Sequence, residues 1–203
     1  MAVLFTSLVQ AQTGVKPEIL ARFNVLGLID PFDRNFSTGV EVRFNPQWSA
    51  GTDAGYIFYS KYLMDAKRTS GFIVRPFIRH YYKKSKRSFV EAEFHYKMAN
   101  YKLEDWLGRE VVNGVPAYEE LKEFTFRKQA LGFHLKIGKV NTLSKNKKLL
   151  IEYYVGMGIR KKWNKSLEGD YRLREGLFSI HKTDPQYTGL AVPMGARLLY
   201  KIK

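Results

Sequence analysis

Cysteine is absent from the 203-residue chain, so neither a disulfide framework nor a thiolate metal site is available. Histidine is scarce, with 4 in all, and neither His80 nor His181 lies near a serine or cysteine arrangement suited to a nucleophile. A glycine-rich phosphate loop is also missing. No apolar run approaches the roughly 20 residues of a transmembrane helix, so any membrane span has to be built from strands. Helical periodicity is almost lacking, with "AYEELKEF" (117 to 124) the one stretch that suits a helix. Acidic residues are outnumbered 19 to 34 by Lys and Arg, a net charge of +15 that raises the question of nucleic acid. The basic runs "KKSKR" (83 to 87), "KNKK" (145 to 148) and "RKKWNK" (160 to 165) each sit between patterned segments, however. They read as solvated turns or strand exits, and no nucleic-acid partner is expected.

What the chain does have is alternation in steps of two. Eight segments carry it, near 19 to 25, 36 to 45, 48 to 58, 72 to 81, 90 to 98, 131 to 138, 150 to 160 and 190 to 201. In "LIEYYVGMGIR" (150 to 160), Ile151, Tyr153, Val155, Met157 and Ile159 share one parity, and Glu152, Tyr154, Gly156, Gly158 and Arg160 share the other. Eight such strands predict a closed barrel, and alternation alone leaves open which face is inside. A lipocalin-like barrel turns its apolar parity inward around a hydrophobic ligand, whereas an outer-membrane barrel turns it outward to lipid.

Three features favour the membrane. The apolar parity carries no Asp, Glu, Lys or Arg, as lipid demands. Gly39, Gly51, Gly55, Gly132, Gly138, Gly156, Gly158 and Gly195 share the charged parity, which makes room for long ionic side chains in the narrow interior of an eight-stranded barrel. The connections at 45 to 47, 83 to 88 and 141 to 148 are short and alternate with longer ones near 59 to 70, 99 to 125 and 161 to 188. This is the layout of short periplasmic turns and long extracellular loops, with both termini periplasmic. The expectation is therefore an all-β, eight-stranded antiparallel up-and-down transmembrane β-barrel with a polar interior, one domain over residues 12–203. Residues 1–11 of "MAVLFTSLVQAQ" read as the end of a signal peptide, with Val9 and Ala11 spaced for cleavage before Gln12. Pro76 and Pro193 fall inside strands, and each predicts a bulge or irregularity.

The stretches "FNVLGL", "GVEVRF", "VRPFIRHYY", "LIEYYVGMGIR" and "VPMGARLLYKI" resemble the strand motifs of small outer-membrane barrel proteins from Bacteroidota, a group defined by a domain of unknown function. The resemblance spans about residues 17 to 203 and is strongest at Gly39, Glu41, Pro76, Arg79, Glu152, Gly156 and Gly158. It implies a fold and a bacterial outer-membrane location, and brings no activity or catalytic residue. The chain departs from the usual aromatic ending by closing with Ile202 and Lys203.

The interior is expected to hold Arg22, Glu41, Arg43, Asp53, Arg75, Arg79, Glu91, Glu93, His95, Lys97, His134, Lys136, Glu152, Arg160 and Arg197. These can form a structural ionic network that plugs the lumen or, being cation-rich, a narrow anion-preferring pore. Glu91 and Glu93 could serve as an acid/base pair, but their basic neighbours suit them better to ion pairs. His95 and His134 lack a clear third ligand, so no metal and no cofactor are expected. In the long loops, Trp106, Tyr118, Trp163, Tyr171 and Phe178 are candidates to anchor an outer-membrane or extracellular protein or a glycan, or to sit in the interfacial belt. The basic residues beside them suit outer-membrane lipid and lipopolysaccharide. The leading expectation is a structural or interaction protein rather than an enzyme. The alternatives are a soluble lipocalin-like ligand carrier, an anion-preferring pore and an outer-membrane lipid-modifying enzyme.

Overall fold

Residues of alternating character form strands because a sheet with two unlike faces buries one parity and leaves the other outside. The structure, a computed structural model, describes residues 17–30, 32–61, 66–82, 87–110, 112, 113, 115, 117–166 and 186–202. The expected signal peptide, Tyr171 and Phe178 lie outside them. The elements are β1 (Glu18–Phe23), a single helical turn α1 (Leu26–Ile29), β2 (Asp33–Arg43), β3 (Trp48–Ser60), β4 (Arg68–Tyr81), β5 (Ser88–Arg109), β6 (Tyr118–Thr142), β7 (Leu149–Ser166), β8 (Gln186–Ala191) and β9 (Met194–Lys201). All belong to one antiparallel sheet. Strands β1 to β7 pair in chain order, and β9 pairs with both β7 and β1, so the sheet closes into a ring.

The expected eighth strand is two. Val192 and Pro193 interrupt it, and β8 and β9 both use β7 as partner, β8 from Gly158 to Trp163 and β9 from Leu149 to Val155. Proline has no N–H to donate, and here that ends a strand instead of bulging it. Pro76 behaves differently. It pairs with Thr52 on β3, while towards β5 the pairs run Val74 with Tyr96 and then Phe77 with Glu93, in unbroken register. The ladder thus skips two residues without slipping. The one register shift in β2 and β3 falls between Arg34 and Asn35, where Phe58 and Tyr59 are both exposed.

The stretch 99 to 125, expected as a long loop with a helix at 117 to 124, is instead a hairpin. Strands β5 and β6 run on together to the pair Arg109 and Tyr118. At the opposite end the connections are short, as expected. Asn45 Oδ1 accepts the amides of Gln47 and Trp48 at 2.8 and 2.7 Å, and Lys147 takes the left-handed conformation at φ 57° in the turn between β6 and β7.

The apolar parity points outward: Val155, Phe133 and Met157 are 48%, 47% and 71% exposed, and Leu190 is 90% exposed. Inside, an apolar cluster of Leu20, Tyr81, Phe89, Val140, Tyr154 and Leu199 occupies the end bearing the short turns and the C-terminal strand. A second, formed by Ile57, Ile73, Ala99, Tyr101, Leu103, Phe124 and Phe126, lies beneath the β5–β6 hairpin. Among the described residues, no helix is long and apolar enough to cross a membrane.

Candidate functional site

Between the two apolar clusters the ring is filled with charge. Inward residues of eight strands converge there, and the interior glycines let them fit. A Cβ on Gly156 would lie 2.8 Å from Lys136 Cα, and one on Gly51 would lie 2.6 Å from the Phe77 ring. Arg79 on β4 is the hub. Its Nη1 donates to Glu41 at 3.1 Å and to Glu152 at 2.8 Å, and its Nε donates to Glu91 at 3.0 Å. Arg22 donates to Glu41 at 3.1 Å and Asp53 at 3.3 Å. Arg197 donates to Glu152 at 2.8 Å and contacts Glu93 at 3.4 Å. Lys136 pairs with Glu93 and, at 3.3 Å, with Glu91, while His134 Nδ1 lies 3.1 Å from Glu93. Tyr81 and Ser49 hydroxyls donate to Glu41 at 2.6 and 2.7 Å. Aromatic faces complete the packing, with Phe77 3.8 Å from the Arg22 guanidinium and Phe89 3.8 Å from that of Arg79.

All fifteen expected interior residues therefore face inward, but they form two environments. Arg22, Glu41, Asp53, Arg79, Glu91, Glu93, His134, Lys136, Glu152 and Arg197 make the buried network, each 3% exposed or less. Arg43 sits at its lower edge, bonded to Glu18 at 2.7 Å and 4.3 Å from the Tyr81 ring. Arg75, His95, Lys97 and Arg160 lie above, lining a cavity of about 770 Å³ that His134, Lys136 and Glu93 close from below. Lys97 pairs there with Asp33, which also accepts from Ser60 Oγ at 2.7 Å.

Sequence reasoning missed Asp33, Lys128 and Lys162 in this cavity. Their strands extend past the clean alternation, and only the parity of the flanking segments could have placed them inward. The third ligand wanting beside His95 and His134 is Glu93: one donor atom from each of the three lies within 4.8 Å of the others. Yet Glu93 is already held by Lys136 and His134, and Arg75 and Arg160 act electrostatically on His95 from nearby. A divalent cation would meet those positive charges, so the donor set fits a metal poorly.

The expected loop aromatics are corrected. Trp106, Tyr118 and Trp163 stand on strands β5, β6 and β7. Trp163 Nε1 donates to Gln129 Oε1 at 2.8 Å, and Gln129 Nε2 donates to Tyr96 OH at 2.9 Å. No protein-family model matches the chain, and no curated protein or solved structure does so either.

Proposed function

We propose that the chain is an integral outer-membrane β-barrel, plugged by its own ionic network, that serves as a structural or interaction protein through the end remote from its termini. One observation carries the reading: the outward face between two aromatic levels is apolar and exposed, with Lys161 just beneath Trp163 its one charge among the described residues, while the ionic network is inside. The lower level holds Trp48, Tyr82, Tyr153 and Tyr200, and the upper holds Phe36, Tyr56, Phe72 and the Tyr96–Gln129–Trp163 chain. From Trp48 to Tyr56 the strand rises roughly 26 Å at about 3.3 Å per residue. At the usual tilt this gives about 20 Å of height, close to the ~25 Å apolar band of outer-membrane barrels. A water-soluble chain gains nothing from so much continuous apolar surface.

The lipocalin alternative needs an apolar interior, whereas nine of the twenty-two residues lining the cavity here are charged. The pore alternative draws on the cation-rich cavity, but the buried network and the lower apolar cluster stand across the conduction path. Fractionation and gel electrophoresis test the reading. The protein should partition with the outer membrane and migrate differently before and after boiling; a chain that stays soluble and monomeric without detergent overturns it.

A further inference from the structure

The cavity above the network carries more positive charge than it neutralises. Six Lys and Arg side chains line it against three carboxylates. Lys97 is matched by Asp33 and Lys136 by Glu93, while Arg75 and Arg160 form no ion pair among the described residues. Arg75 is 8% exposed, yet its Nε and Nη2 both lack a hydrogen-bond partner. These two N–H groups form the side-on fork of the guanidinium, spaced to meet two oxygens of a phosphate or carboxylate. Leaving such donors buried without partners is costly, and an anion would satisfy them. Arg160 Nε and His95 Nε2 are also buried without a partner. The sheet register brings these groups together: His95 pairs with Gly132 and Gly132 with Arg160, so a residue without a side chain separates them.

The wall beside the cavity has a seam. Among the described residues, β8 pairs only with β7, and Asp33–Phe36 of β2 pair only with β3. Between them lie α1 and the Val192–Pro193 break, where Leu26, Ile29, Val192 and Met194 line the cavity and are exposed by 40%, 69%, 63% and 69%. A cationic pocket thus meets an apolar gap facing outward. Its volume lies in the ~300–1,000 Å³ range of small-molecule sites.

We propose that this cavity binds an oxyanion on the Arg75 fork, with Arg160 and His95 as further donors, and that the oxyanion heads a single-chain amphiphile whose tail leaves the ring sideways between α1 and Val192. The tail's exit rests on the membrane reading; the oxyanion contact does not.

The test uses the full chain folded in an uncharged maltoside detergent, with folding checked by heat-modifiable migration and binding read by calorimetry. Dodecyl phosphate should bind saturably and at least ten-fold more tightly than inorganic phosphate. Arg75→Gln should weaken both at least ten-fold. Val192→Trp, which fills the seam, should weaken dodecyl phosphate alone, and Arg160→Gln provides a second neutralisation should Arg75→Gln fail to fold. Equal affinities for the two probes, both lost on neutralising Arg75 or Arg160, would assign the site to a free anion and overturn the amphiphile. Binding unchanged in both arginine variants would overturn the site itself. Because folding is established first, either failure is distinct from failure of the membrane reading.

Discussion

Arg79 and Glu152 stand 73 residues apart in sequence, on β4 and β7, and meet across the interior at 2.8 Å with both side chains fully buried. The same guanidinium serves Glu41 and Glu91. Removing it strands three carboxylates away from water. Arg79→Leu should therefore destabilise the fold by about 3–5 kcal/mol, the usual result of breaking a buried ionic cluster from one side. The check is the temperature at which the fast-migrating folded band disappears on a gel, which should drop well below that of the parent.

Interior glycines and exterior apolar residues of the same strand should respond in opposite ways. Gly158→Leu drives a side chain into the Phe133 carbonyl and the His134 ring, so the variant should fail to reach the heat-modifiable form. Met157→Ala, next in sequence and 71% exposed, should fold like the parent. Equal yields of the two would contradict the inward assignment of that parity.

Charge placed on the outward face reports what surrounds the molecule. Phe133→Lys and Met157→Arg lie near the middle of the band between the aromatic levels and should each cost about 2–4 kcal/mol in a bilayer. Leu121→Lys, on the hairpin beyond the upper level and 52% exposed, should cost little. Urea titration of the three in lipid vesicles separates the cases; a uniform response would argue for water on all sides.

The hairpin itself is tied down by Lys67, whose Nζ lies 2.6 Å from Glu104 and 2.8 Å from Glu123. Hydrogen bonding to Lys67 holds the Glu123 carboxyl below its ordinary value of 4.5. The stabilisation is present above that value and fades as pH falls through the lowered one, which puts the window below about pH 4.5. The protection of amides across 99–109 and 118–125, taken relative to their intrinsic exchange rates at each pH, should fall there, and Lys67→Met should remove that change in protection. The effect should be small, since these side chains are largely solvated.

The orientation of the sheet was legible because lipid-like exclusion of charge and the crowding of a narrow ring act on every second residue. Val155 and Glu152 could be assigned to opposite faces from parity alone. The β5–β6 hairpin was not legible, because Tyr118 to Glu123 are exposed on both faces and no force sorts them by parity. Lys128 and Asp33 were lost for a related reason: each lies where a strand outruns its clean alternation. The division of β8 from β9 was hidden because proline marks an interruption without saying whether the strand resumes in the same line. The separation of the interior into a neutralised layer and a cation-rich one depends on which rows of the sheet coincide, a property of register that no single strand encodes.

Closure of the ring is uneven. Strands β5 and β6 share twenty-two residue pairs, whereas β1 and β9 join through four, from Leu20 with Lys201 to Phe23 with Leu198, reinforced by the Ile202 amide bonding to Ile19. The ring is thus held by long ladders along the arc from β3 to β7 and by its shortest one where the first and last strands meet. A lateral load shared among these ladders would open that junction before any other, because it has the fewest backbone hydrogen bonds to break.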